Sequence, residues 1–123
     1  MIQRIKTSGQ TSINLDKIQN KLHLSSKAAI LRICLSLSLN EEEEIDLSKN
    51  ISTEGGFDIS LNTLFGEYDV LFKTLIKSNY KKTINEQIFV KLVQAHLERG
   101  MIKFYGEFAT NNGVYNFIES IVR

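Results

Sequence analysis

The run Ser25-Ser26-Lys27-Ala28-Ala29-Ile30-Leu31-Arg32-Ile33-Cys34-Leu35-Ser36-Leu37-Ser38-Leu39 decides the fold. From Ala28 to Leu35 it is apolar nearly all round, which marks a helix buried at the centre of a domain. Its last five residues alternate Leu and Ser and alone would pass for a strand. Continuity with the good helix formers before them predicts one helix ending near Leu39. Ser25 or Ser26 supplies its N-cap.

Upstream, Leu15, Ile18 and Leu22 form an apolar stripe at i, i+3, i+7, which predicts a helix capped by Thr11 or Ser12 and ending near Leu22. Residues 23–25 make a tight connection. Residues 2–7 read as a short strand or extended arm that needs a partner, and Ser8-Gly9 as a turn.

Downstream, residues 40–59 form an acidic connection. Its run Glu41–Glu44 is expected to be a solvated, mobile loop, and Gly55-Gly56 a turn. Leu61, Leu64, Phe65, Tyr68, Leu71, Phe72, Leu75 and Ile76 keep the helical period, with Gly66 marking a break or a close backbone crossing. Thr83-Ile84-Asn85-Glu86 is a capping box that opens a further helix, with Gly100 expected as the residue just past its end. A last amphipathic helix is expected over 112–122, with Val114, Phe117, Ile118 and Ile121 inward. The expected fold class is thus mainly α. It is a compact helical domain of about five helices, with a short N-terminal strand leading into a ribbon–helix–helix-like hairpin. One domain spans 1–123, divided into a basic strand–helix–helix unit (1–40), the acidic loop (41–59) and a helical remainder (60–123).

Composition excludes several classes. The 123 residues are 42% apolar and 24% charged, with no proline, which suits one soluble globular domain. Cys34 is the lone cysteine, so no intramolecular disulfide forms, and a reducing, cytoplasmic setting is expected. The N-terminus lacks the apolar segment of a secretion signal, and no apolar run approaches membrane-span length.

The net charge of +1 hides a partition. Residues 1–40 set Arg4, Lys6, Lys17, Lys21, Lys27 and Arg32 against Asp16 alone. Residues 41–69 set Lys49 against nine acids, and residues 70–123 are basic again. A basic N-terminal third suggests a surface that faces a polyanion, although lysines also simply solvate helix faces.

No catalytic constellation emerges. His23 and His96 lack company at metal-ligand spacing, and Cys34 lies where a thiol behaves as a small hydrophobe. No phosphate-binding loop or dinucleotide glycine pattern is present. Glu67 and Asp69, two apart, do not share a helix face. The expectation is therefore no catalytic residue, no metal and no cofactor. Strand, helix, tight turn and helix give the order of a ribbon–helix–helix unit, in which two chains pair strands against the major groove. The start of the second helix, at Ser25, Ser26 and Lys27, is a natural phosphate seat.

Three pieces carry a family resemblance. They are Lys6-Thr7-Ser8 with Leu31-Arg32-Ile33 and Leu35-Ser36-Leu37, then Thr63-Leu64-Phe65-Gly66-Glu67-Tyr68-Asp69-Val70-Leu71-Phe72, then Ala95-His96-Leu97-Glu98-Arg99-Gly100. In this order they resemble the DndE family of small DNA phosphorothioation proteins, over about residues 4–100. The resemblance implies a non-enzymatic, DNA-binding homo-oligomer, with nicked duplex proposed as the preferred DNA form. Its implied partners are a cysteine desulfurase, a sulfurtransferase-like protein with an iron–sulfur protein, and an ATPase. The family places glycines between the first two helices. Here Asn20 and His23 stand instead, and both tolerate positive φ better than most residues.

Lys17, Lys21 and Lys27 are the first expected phosphate contacts, followed by Arg4 and Lys6 and the caps Ser25 and Ser26. Arg32, set in an apolar helix, is expected to pair structurally with Glu67 or Asp69, since an unpaired charge there is costly. Competing readings are a ribbon–helix–helix-like regulator, a scaffold that docks through the acidic 41–59 loop, and a nuclease using Glu67 or Asp69.

Overall fold

The computed structural model describes residues 3–23 and 26–110. In chain order the elements are β1 (Arg4–Lys6), α1 (Gly9–Leu22), α2 (Lys27–Leu39), β2 (Asp58–Ser60), α3 (Leu61–Phe65), a 3-10 turn (Gly66–Tyr68), α4 (Asp69–Asn79) and α5 (Glu86–Thr110). The protein is mainly α, as expected.

Helix α2 is the centre. Ile30, Leu31, Cys34 and Leu35 are fully buried, and their main partner is α5. Along α5, Leu92, Val93, His96, Leu97, Gly100, Met101 and Phe104 recur at steps of three or four, all buried. Gly100 does not end α5, contrary to the sequence expectation. Its Cα lies against the Cys34 carbonyl, and a Cβ there would collide with that oxygen. The glycine is kept for close approach of two helix backbones, and the helix runs on for ten residues beyond it.

Local caps set the helix starts. Ser8 Oγ accepts from Thr11 N at 3.0 Å, which begins α1 one turn earlier than the Thr11 or Ser12 cap expected. Ser26 Oγ accepts from Ala29 N at 3.2 Å at the start of α2. Asn85 Oδ1 accepts from Ile88 N at 2.8 Å at the start of α5. Between α1 and α2, His23 adopts the left-handed conformation (φ 54°, ψ 33°).

The single long helix expected over 61–76 is broken at Gly66, whose φ of 54° and ψ of −133° suit only glycine. Phe65 stacks on Phe72 across that break, with ring centroids 5.7 Å apart, and meets Phe89 edge-on at 6.3 Å.

The partner of β1 lies in the same chain. β1 runs antiparallel to β2, with Ile5 opposite Ile59. Gln94 Nε2 donates to the Lys6 carbonyl at 2.7 Å. The strand therefore joins an internal pair held by α5, where a ribbon–helix–helix unit would pair it with a second chain.

The acidic segment is not a free loop either. Ile45 is buried, Lys103 Nζ reaches Glu41 at 2.9 Å, Arg99 donates to the Glu43 carbonyl at 2.7 Å, and Lys81 N donates to Glu44 at 2.6 Å. The helix expected over 112–122 lies outside the described residues. No helix among the described residues is long and apolar enough to cross a membrane.

Candidate nucleic-acid interface

The polar side chains divide into those used inside the fold and those presented outside it. The inner group gathers along α5. Ser38 Oγ lies 2.7 Å from His96 Nδ1 and accepts from Arg99 Nε at 2.8 Å. Arg99 also donates to the Ser38 carbonyl at 2.7 Å. The Ser38 hydroxyl, with one donor and two acceptor lone pairs, can serve Arg99 and His96 together, and its bond to Nδ1 runs in the direction the ring tautomer sets. Burial, aided by the Arg99 charge, lowers the His96 pKa to about 4, so the ring is neutral at pH 7. Its Nε2 is buried and unpartnered among the described residues.

Two residues beyond His96, Glu98 accepts from Ser8 N at 3.2 Å and from the Thr11 hydroxyl at 2.8 Å. Its carboxylate sits at the N-terminus of α1, where the helix dipole favours negative charge. The piece Ala95–Gly100 is therefore a structural clasp joining α1, α2 and the acidic segment to α5.

The lone cysteine lies beneath this clasp. Cys34 is fully buried, and burial, with the Glu98 charge adding to it, pushes its thiol up to about 12. A protonated, inaccessible thiol neither attacks nor binds metal. No group of three or more His, Cys, Asp or Glu side chains able to hold a metal occurs among the described residues.

The expected ion pair of Arg32 with Glu67 or Asp69 is replaced by another arrangement. Arg32 Nη1 donates to the carbonyls of Leu64 at 3.0 Å and Thr63 at 3.4 Å, capping the end of α3. Asp69 instead pairs with Lys73 at 3.0 Å, and Glu67 is exposed. The break at Gly66 ends α3 early, so its free carbonyls are nearer acceptors than the carboxylates beyond.

The six early cations meet different fates. Arg4 pairs with Asp58 at 2.8 Å, both side chains more than half exposed. Lys27 reaches Asp16 at 2.7 Å and lies over the Phe57 ring, 5.0 Å from its centroid. Arg32 is taken up as described. Lys6 is exposed on β1. Lys17 and Lys21 are exposed on one face of α1 and form ion pairs with no carboxylate among the described residues. With Asn20 and Phe108 they line an open groove of about 450 Å³ between the end of α1 and the end of α5.

The structure thus brings Lys17 and Lys21 together and turns Arg4, Lys27 and Arg32 toward the chain's own oxygens. Of the two expected serine contacts, Ser26 is occupied as a cap and Ser25 lies outside the described residues. Phe108, which lines the groove, and Tyr105, whose ring lies beside it and near Lys17 Nζ, gave no signal in the sequence. Their placement depends on α5 continuing past Gly100.

Fold and site together define a small, mainly α protein with Cys34 and His96 buried inside and a lysine-bearing groove on its surface. A family model described as DNA sulphur modification protein DndE matches residues 4–112, and the chain belongs to the DndE family. Its fold is similar to that in the crystal structure of DndE from Escherichia coli B7A, described as involved in DNA phosphorothioation modification. The two share 20% sequence identity and a TM-score of 0.71, over 82% of this chain and 94% of that one. No relative is found among curated protein sequences.

Proposed function

We propose that this chain is a DNA-binding, non-catalytic subunit of a DNA phosphorothioation system, gripping the phosphate backbone through Lys17 and Lys21. Family membership supplies the system. The observation that carries the DNA contact is the pair of lysines one turn apart on a solvent-facing groove, with no acid of the described chain to neutralise them. Lys6 extends the contact. Arg4 joins it by exchanging Asp58 for phosphate, a modest cost for an exposed pair worth under about 1 kcal/mol, and half-buried Lys27 only by also leaving Asp16 and the Phe57 ring.

Because lysines read charge rather than base edges, binding is indifferent to sequence, and duplex DNA, nicked or intact, is the ligand. The exposed apolar row Tyr68, Val70, Leu71 and Leu75 offers a surface for self-association or for the sulfurtransferase-like and ATPase proteins of the system, since contiguous apolar surface of this kind marks protein contacts.

The test is a salt titration. Replacing Lys17 and Lys21 by Gln weakens binding equally on unrelated duplex sequences. It also flattens the slope of log K against log salt by roughly 0.9 per lost phosphate contact. An unchanged slope places the DNA face elsewhere.

A further inference from the structure

We infer that the groove between the acidic segment and the outer face of α5 is a docking site for an extended peptide segment of a partner protein. An apolar side chain of that segment sits against Ala95 and Ile102, with an acidic residue at Lys91 and a basic one at Glu43. This surface is separate from the proposed DNA face, because Lys17 and Lys21 do not line it.

Along α5, Lys91, Ala95, Glu98 and Ile102 recur at steps of three or four and form one wall of the groove. Side chains from the acidic segment, between residues 43 and 53, form the other, and the space between them is about 540 Å³. From Lys91 to Ile102 the helix rises about 16 Å, a length that about five residues of extended chain cover. Ile102 is 76% exposed and supplies apolar surface together with Ala95 and Ile51.

Most charged groups of the groove are already engaged. Glu98 is held by Ser8 and Thr11, Arg99 by Ser38 and the Glu43 carbonyl, and Glu44 by Lys81 N. The Lys91 ammonium and the Glu43 carboxylate remain. Both residues are exposed and form no ion pair among the described residues. They stand at opposite ends, since Glu43 is tied through its carbonyl to Arg99, two turns along the helix from Lys91. Opposite free charges at the two ends fix the direction in which a bound segment lies.

The wall opposite α5 suits a peptide. The backbone amides of Asn50, Ile51 and Ser52 donate to no protein acceptor among the described residues. An extended partner chain pairs with free amides of this kind while its side chains enter the groove. A phosphate backbone is disfavoured, because the carboxylates of Glu43, Glu44, Asp46 and Glu98 all line the groove and repel it.

The experiment selects a phage-displayed library of random decapeptides on the immobilised full chain. Enriched peptides are resynthesised with a fluorescent label and titrated by anisotropy. They are expected to carry an apolar residue with an acidic residue on one side and a basic one on the other. Lys91→Glu and Ile102→Asp change exposed side chains, and each should weaken binding by about tenfold or more. Lys17→Gln with Lys21→Gln should leave it within about twofold.

The inference is overturned if no peptide is enriched, or if the enriched peptides bind Lys91→Glu and Ile102→Asp as tightly as wild type. Displacement of the peptides by single-stranded or duplex DNA would also overturn it and make the groove a nucleic-acid surface. A change in the chain's own mass by light scattering in Lys91→Glu or Ile102→Asp would give the groove to a second copy instead. The DNA-binding reading is tested separately at Lys17 and Lys21 and stands or falls on its own.

Discussion

The inner edge of α5 and the outer face of α1 are both rich in polar and charged residues, yet they do opposite work. On α5, His96, Glu98 and Arg99 each meet a partner from another element: Ser38 of α2, the start of α1, and the Glu43 carbonyl. On α1, Lys17 and Lys21 meet no acid among the described residues and are exposed. A polar group that is buried and satisfied holds the fold, and its loss leaves a partner stranded. A charge left exposed contributes little to stability and remains available to a ligand. The most distinctive stretch of the chain, Ala95–Gly100, is accordingly structural, whereas the plain lysines carry the proposed contact.

The largest expected effect concerns His96. The unfolded ring takes up a proton near pH 6.5, while the folded one does so only near pH 4. A depressed folded-state pKa means stability is full above about pH 6.5 and falls as pH drops toward 4, by up to about 3 kcal/mol. Urea denaturation at pH 7 and pH 4.5, comparing wild type with His96→Gln, isolates this loss. Equal pH dependence in both chains would break the contrast at its inner side.

Gly100→Ala comes next. Alanine gains about 1 kcal/mol in helix propensity, but its Cβ meets the Cys34 carbonyl, and overpacking against backbone costs more. A net destabilisation of about 2 kcal/mol is expected, read as a lowered melting temperature. A stabilised variant would show that α2 and α5 can separate freely.

Glu98→Gln keeps an acceptor for only one of Ser8 N and the Thr11 hydroxyl, which use different carboxylate oxygens, and removes the charge at the α1 N-terminus. It should cost about 1–2 kcal/mol. Lys17→Gln with Lys21→Gln should stay within about 0.5 kcal/mol in stability while changing the salt dependence of DNA binding as stated above. If that double variant unfolded as readily as Gly100→Ala, the division between clasp and contact face would not hold.

Much of this arrangement was legible before the structure. The apolar run Ala28–Leu35 identified the buried centre, since a helix hydrophobic on every side has nowhere else to go. The period of Leu61–Ile76 located α3 and α4, and the caps gave the starts of the helices to within a turn, but not the end of α5. The break at Gly66 was visible as a glycine interrupting that period. Gly100 was misread because a glycine near a helix end is commonly a cap. Only the neighbouring helix reveals that it is a contact point. The acidic segment was misread for a related reason: its carboxylates look solvated until Lys103, Arg99 and Lys81 are seen to hold it.

By itself the sequence determined that the chain is mainly α, that α2 is central, and that positive charge concentrates in its first forty residues. These follow from periodicity, local capping and composition, which act over a few neighbouring residues. Only the tertiary structure decided which cations stay available. Arg4, Lys27 and Arg32 are claimed by oxygens up to 54 positions away in the chain, and whether a charge meets such a partner depends on packing between elements. The juxtaposition of Lys17 and Lys21 with Phe108 was decided in the same way, since α1 and α5 come together only when both pack around the core.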